Sequence, residues 1–461
     1  MAALDIAIVG PALPAIQGTF RLDEREVAWV FSIYVLFNLL GTPILAALSD
    51  SLGRRAIYLL AVGLFTVGSL LTAIAPDFWL VLLGRAIQGA GAGGVFPVAS
   101  ALIWDSFPAR VRGRMLGLLG AVFGLAFLVG PILGGVLLLF SWHWLFLVNL
   151  PIGAAIIIAG FRVLPASGAR RDGPFDLPGM ILLSAILTTL LFGLNRIDTA
   201  QLWVGLARND VWPLLLTCLV LIPFFIRVEL VAPNPVVQVR LFTRRQVILV
   251  ALLAIGAGVA EAAVVFVPQL LKANFNVSAS GASFMLVPLV VAMSVTSPLA
   301  GRFVDRIGSR PVLIIGGALL MSGMLLIGVG SNLPQFYVAS ILTGMGLASL
   351  LGAPLRYIML NEASVAKSAS AQGVLTLLVS IGQLSGGVFV GAVAQHRGDG
   401  TADYQTAFAW VGALGLLLTL TAFLLKAQNK ERGDISATRS TGIMADMTGD
   451  RLEYVVEADD K

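Results

Sequence analysis

The chain has 461 residues, 58% of them hydrophobic and only 12% charged, about half the charged share of an ordinary soluble domain, which excludes a water-soluble globular enzyme. Its net charge of +5 does not point to nucleic acid, because the Lys and Arg residues fall in short clusters between apolar runs instead of along one face. One cysteine, Cys218, and two distant histidines, His143 and His396, leave no intrachain disulfide and no Cys/His metal motif, so no metal or other cofactor is expected.

Apolar runs of about 20 residues recur from end to end, each long enough to cross about 30 Å of hydrocarbon at about 1.5 Å per residue. Helices are required, since lipid cannot satisfy exposed backbone groups and no period-2 barrel pattern appears. In chain order the predicted spans are Ala2 to Thr19, Val27 to Leu48, Ala56 to Ala75, Trp79 to Trp104, Met115 to Phe140, Trp144 to Leu164 and Leu177 to Leu194. They continue as Val211 to Ile226, Val247 to Leu271, Gly281 to Ala300, Pro311 to Gly330, Phe336 to Met359, Gln372 to Ala394 and Ala407 to Leu425, 14 in all. The fold class is therefore an all-α integral membrane protein.

Most of the Lys and Arg residues lie in one alternating set of loops, the set that contains Arg54, Arg55, Arg110, Arg112, Arg244, Arg245, Arg302, Arg306 and Arg310. The opposite loops hold Arg21, Arg25, Arg196, Arg208, Lys272 and Arg397. The basic set faces the cytoplasm, which puts both termini there and the chain in the cell membrane as a multi-pass protein. Asp5 follows Met1 so closely that the first span looks clipped, and no basic leader or small-residue cleavage site marks a signal peptide. Residues 427–461 mix charges with small polar residues and are expected to be a disordered cytoplasmic tail.

The chain repeats itself. Ala46-Ala-Leu-Ser-Asp50-Ser-Leu-Gly53-Arg54-Arg55 after the second span aligns without gaps, at an offset of 255 residues, with Gly301-Arg-Phe-Val-Asp305-Arg306-Ile-Gly308-Ser-Arg310 after the tenth. Two six-helix bundles, 1–164 and 247–426, are expected, with two inserted helices in 165–228 and a cytoplasmic connector in 229–246. Parallel halves of this kind are a transporter architecture with a substrate site between them near the midplane.

These residues resemble the major facilitator superfamily, and within it the 14-helix drug:proton antiporter branch, over all but the tail. The two repeated loops are similar to that family's cytoplasmic loop motif, with Ala46 and Ser51 where Gly and a basic residue are usual. Arg85-Ala-Ile-Gln-Gly89 resembles its fourth-helix motif, Gly130-Pro131-Ile-Leu-Gly134-Gly135 its antiporter motif, and Trp142-His-Trp-Leu-Phe-Leu-Val-Asn149-Leu-Pro151 the stretch opening the sixth helix. Leu4-Asp5-Ile-Ala-Ile-Val with Ala12-Leu13-Pro14 resembles the first-helix motif, with Ala7 and Gly10 in place of the usual Thr and Asn. The resemblance implies that Arg85 tunes the ionisation of a neighbouring acid.

An ionisable residue inside a span costs about 2.5–3.5 kcal/mol on insertion scales and needs a partner or a purpose. Asp5 precedes Asp50 by 45 residues and Glu261 precedes Asp305 by 44, so the two acids occupy nearly equivalent places in the first helix of each half. A buried carboxyl group is able to exchange protons near neutral pH, and Asp5, Glu261 and Arg85 are the expected proton-coupling and substrate residues. Asp50 and Asp305 end helices where a carboxylate is disfavoured unless bases compensate; with Arg54, Arg55, Arg112, Arg306 and Arg310 they are expected to form a cytoplasmic latch. The glycines of the fifth span and Pro131 are expected to form a hinge or seal between the halves. Trp29, Phe31, Tyr34, Phe37 and Phe266 are candidates for lining a drug cavity.

The expected function is export of amphipathic, cationic compounds in exchange for protons by a monomer that rocks between two states, with the bilayer, a small molecule and protons as partners. Export of a dedicated metabolite or siderophore, or proton-coupled uptake, is the alternative. An intramembrane lipid-linked transferase is the rival from another class; it needs clustered acids, His or Arg at one membrane face, and none is found. No Lys-Ser/Thr phosphate loop supports ATP drive.

Overall fold

The computed structural model describes residues 1–106, 126, 129–164, 176–197, 205, 208–233, 235–237, 239–330, 332–362, 368–394 and 400–426. The described residues are all-helical. The first half of the chain contains α1 (Ala2–Phe20), α2 (Glu24–Leu52), α3 (Arg54–Ala73), α4 (Phe78–Ser106), α5 (Val129–Leu138), α6 (His143–Leu147) and α7 (Asn149–Val163). Two further helices, α8 (Leu177–Asn195) and α9 (Trp212–Val231), precede a 3-10 turn at Val239–Thr243. The rest is α10 (Arg245–Val265), α11 (Val267–Phe275), α12 (Ala279–Met285), α13 (Val287–Ile307), α14 (Ser309–Val329), α15 (Leu333–Leu351), α16 (Ala353–Glu362), α17 (Ser368–Ala394) and α18 (Gly400–Phe423).

Among the described residues, 12 helical stretches are long and apolar enough to cross a membrane. Helix α1 and the ten residues of α5 occupy the places of the two remaining predicted spans; half of the predicted fifth span lies outside the described residues. Several predicted spans are broken by backbone chemistry. The ninth divides at Phe266, where Pro268 lacks the N–H that would continue the ladder, and Pro288 and Pro354 stand at equivalent breaks before α13 and within the twelfth. The Val211 to Ile226 run proves longer than its apolar stretch, because α9 continues to Val231.

Local signals fix the turns. Asp23 caps α2 in a reciprocal box, accepting from Glu26 N at 2.7 Å while Glu26 accepts from Asp23 N at 2.9 Å. Gly53 joins α2 to α3 with φ 100°, and Gly308 joins α13 to α14 with φ 87°. The repeated motif therefore makes the same one-residue left-handed turn twice, a conformation that a Cβ would strain.

The same pairs of spans pack in both parts of the chain. Helix α4 lies against α2 and α3, and α15 lies against α13 and α14; α3 meets α6 and α7 as α14 meets α18. These contacts rest on glycine. A Cβ at Gly89 would sit 2.3 Å from the Tyr34 carbonyl oxygen, and one at Gly382 would sit 2.0 Å from that of Ile255, so backbones touch where α2 crosses α4 and α10 crosses α17. Helix α8 packs on α2, α17 and α9, while α9 leaves Leu219, Val220 and Phe224 exposed in the manner of a lipid-facing helix.

Candidate functional site

Asp5 on α1 and Arg85 on α4 are both fully enclosed, with Arg85 Nη1 2.7 Å from Asp5 Oδ2. Nη1 also donates to Gln88 Oε1 at 2.7 Å, and Nε donates to the Val30 carbonyl at 3.1 Å. Gln88 stands one turn after Arg85 on the same face of α4. Its amide donates to Asp5 Oδ1 at 2.7 Å and to Ser69 Oγ at 2.7 Å, so both oxygens of Asp5 are bonded. The guanidinium lies 4.1 Å from the ring centroid of Tyr34 and 5.7 Å from that of Phe146, a cation-π arrangement that offsets part of its lost hydration. Arg85 Nη2 is buried without a hydrogen-bond partner among the described residues.

Glu261 on α10 has a different environment. Gln383 Nε2 of α17 donates to its Oε2 at 2.9 Å, and among the described residues no cation lies within salt-bridge distance. The two acids are tied together by the crossing of their helices. A Cβ at Gly10 would lie 2.7 Å from the Val265 carbonyl oxygen, so α1 and α10 touch there. Asp5 is five residues before that contact and Glu261 four before it, which puts them at about 7.5 and about 6 Å from the crossing, on its same side.

Hydrogen bonds between the first and second parts of the chain gather at the ends away from the basic loops. Ser283 Oγ donates to the Pro131 carbonyl and Ser280 Oγ to the Gly135 carbonyl, each at 2.6 Å. A Cβ at Gly135 would lie 2.7 Å from the Phe284 ring, and one at Gly134 would lie 3.0 Å from Ser283 Oγ; Gly130 is buried beside them. The antiporter-like residues thus hold α5 against α12. Nearby, the Tyr404 hydroxyl donates to Glu24, which also accepts from Gln17 at 2.8 Å, and Lys272 reaches the Pro14 carbonyl at 3.5 Å. Trp142 pins the end of α1 by donating to Thr19 Oγ1 at 3.1 Å and packing edge-on against Phe20.

At the basic end, the side chains of Asp50 and Asp305, and all of Arg112, lie outside the described residues. Gly53 and Gly308 form the left-handed turns. Arg55 donates to the Phe161 carbonyl at 2.6 Å and stands over its ring at 5.6 Å, so it satisfies a terminal carbonyl of α7. Arg310 faces Arg244, Arg245, Glu362 and Lys426 around a cavity. Arg54 lies at the α3 start and is half-buried, Arg306 is exposed, and Gly301 is in ordinary contact with Ala353.

The aromatic candidates divide. Tyr34 belongs to the Arg85 cluster, and Phe31 meets Phe266 edge-on at 6.4 Å, both buried. Trp29 turns to α8, donating to Asn195 Oδ1 at 3.0 Å and packing on Phe192. Phe37 is half-buried. Gln88, Ser69, Gln383, Ser280 and Ser283 were not among the predicted residues; Gln88 alone carried a signal, its place one turn from Arg85.

The Major Facilitator Superfamily pattern matches residues 1–260 and 247–449. The chain is 32% identical over 389 residues to the MFS-type transporter YfiU of Bacillus subtilis, covering 83% of this chain and 75% of that protein. It is 31% identical to multidrug resistance protein 3 of the same organism, over 79% of this chain and 70% of that protein. Among solved structures, the D-xylose-proton symporter superposes with a TM-score of 0.65 at 15% identity, over 93% of this chain and 96% of that one. The human organic anion transporter MFSD10 superposes with a TM-score of 0.56 at 19% identity, over 91% and 97%. The relatives are transporters, not enzymes, and this multi-pass membrane chain belongs to the Major Facilitator Superfamily.

Proposed function

We propose that the chain is a proton-coupled exporter of amphipathic, cationic compounds that works by alternating access. In this reading, 14 spans form two six-helix bodies (1–164 and 247–426) flanking an inserted pair within 165–228, joined by a connector at 229–246 and followed by a tail at 427–461. A monomer sits in the cell membrane with both termini cytoplasmic.

One observation carries the reading: two carboxyl groups on the same side of the α1–α10 crossing, one ion-paired to Arg85 and the other bonded, among the described residues, only to the Gln383 amide. Glu261 is the exchangeable one. Protonated, it is neutral and keeps the Gln383 hydrogen bond through Oε2; deprotonated, it offers Oε1 as a counter-charge to a cationic cargo. Proton and cargo then exclude each other at one group, which is the condition for antiport. Asp5, with both oxygens occupied, positions α1 against α4 and responds only when Arg85 is displaced. The interhelical bonds at the ends away from the basic loops support an inward-facing state. Relatives named as multidrug resistance protein 3 of Bacillus subtilis and Stp of Mycobacterium tuberculosis favour drugs as cargo.

A second reading, export of a dedicated metabolite, is favoured by a 25% identical relative named as the riboflavin transporter RibZ of Clostridioides difficile. Drug-driven proton movement in proteoliposomes, scanned over cationic dyes, biocides and neutral metabolites, separates the two. We expect cationic dyes to drive protons in the parent and Glu261→Gln to reduce that signal to background at unchanged folded yield. Undiminished antiport in the variant removes Glu261 from the mechanism.

A further inference from the structure

At the end of the bundle that carries the basic loops, a cavity of about 590 Å³ opens between α10, α14, α16 and the segment that follows α18. Its wall holds four cations, Arg244, Arg245, Arg310 and Lys426, against one carboxylate, Glu362. That carboxylate is already shared, 3.1 Å from Arg244 Nη1 and 3.2 Å from Lys426 Nζ. Four positive charges against one negative leave an excess of three, and the described residues supply no further acid to the wall.

The backbone adds to this field. Arg244 is the N-cap and Arg245 the first residue of the 21-residue α10, and Arg310 is the second residue of the 21-residue α14. Two helix N-termini, each with unsatisfied N–H groups and a positive dipole end, therefore meet at one cavity. Arg310 Nε is buried with no hydrogen-bond partner among the described residues. An excess of guanidinium forks beside helix N-termini is the donor set that recognises phosphate. Leu424 and Leu425 add apolar lining just past the end of α18.

We propose that this cavity binds an anionic phosphate group. The chemistry is shared by an anionic phospholipid headgroup and a free phosphate, and the cavity does not take part in the proton-coupling reading above. The site lies in the second part of the chain alone, apart from Asp5, Arg85 and Glu261.

The test uses the purified full chain in neutral detergent. Binding of a short-chain fluorescent phosphatidylglycerol is compared with that of the matching phosphatidylcholine, with inorganic phosphate as competitor, for the parent, Arg244→Gln/Arg245→Gln and Lys272→Gln. We expect saturable binding of phosphatidylglycerol, at least about 10-fold tighter than phosphatidylcholine, and a loss of about 10-fold or more in the double variant. Lys272→Gln, a cation removed at the other end of the molecule, is expected to bind as the parent does. Competition by inorganic phosphate at concentrations near those of the lipid assigns the site to phosphate alone; its failure to compete assigns it to the lipid. Equal binding of the two lipids by the parent, with no displaceable phosphate, overturns the proposal, as does an unchanged affinity in the double variant. If the double variant is not recovered folded, Lys426→Gln takes its place against the same criteria.

Discussion

Fully enclosed and bonded at both ends, the Asp5–Arg85 pair is sensitive to which of its charges is removed. Asp5→Asn strands a guanidinium in a site closed to solvent, and breaking such a pair costs about 3–5 kcal/mol. Asp5→Asn/Arg85→Gln removes both charges and keeps groups able to hydrogen-bond to Gln88, which itself donates to Ser69. The double variant is expected to unfold at a higher temperature than Asp5→Asn alone, measured as thermal melts of the detergent-purified protein. A double variant less stable than the single one rejects the pair as the reason for the cost. Both charges stand out in the sequence, because an acid or a guanidinium inside an apolar run has no hydration to rely on. Their partnership does not, since 80 residues separate them and only the packing of α1 on α4 brings them together. Gln383 is less legible still: an amide in a span carries no charge signal, and it reaches Glu261 across 122 residues.

Helices in this molecule touch through bare backbone, and α17 shows how local that demand is. A Cβ at Gly382 collides with the Ile255 carbonyl at 2.0 Å, whereas one at Gly373 meets nothing within 4 Å. Gly382→Ala is expected to lower stability by about 1–3 kcal/mol through forced separation of α10 and α17. Gly373→Ala is expected to be neutral or stabilising by up to about 1 kcal/mol through helix propensity. Paired thermal melts check this, and equal melts for the two variants contradict it. Apolar length and basic loops make the elements readable along the chain, as does the twofold Asp-to-Arg motif with its left-handed glycine. The breaks at Phe266, Leu286 and Gly352 are less readable, because an apolar run of spanning length reads the same whether its hydrogen-bond ladder is whole or interrupted. Helices α8 and α9 are visible as apolar runs, but the seat of α8 against α2 and α17 depends on contacts such as Trp29 to Asn195 that periodicity does not encode.

The whole molecule, as described, is held shut at one end. Two serine hydroxyls, Ser280 and Ser283, bond carbonyls of α5. At about 1 kcal/mol per bond, removing both shifts an open-closed equilibrium by about 30-fold. Ser280→Ala/Ser283→Ala is expected to raise the population open at that end, read as a longer spin-label distance between positions 18 and 400; an unchanged distance distribution contradicts it. The chain's membership of a transporter superfamily and its repeated architecture follow from order and spacing of motifs. Which end is closed follows from side chains that meet across the molecule, and no single stretch of sequence holds that information. The interruption at Phe266 bears on this. It sits five residues beyond Glu261, and the short rod past it, α11, carries Lys272 to its contact with Pro14. The break makes the α11 contact with Pro14 and the Glu261–Gln383 bond belong to two rigid pieces, so that under the proposed exchange loosening the first does not require breaking the second.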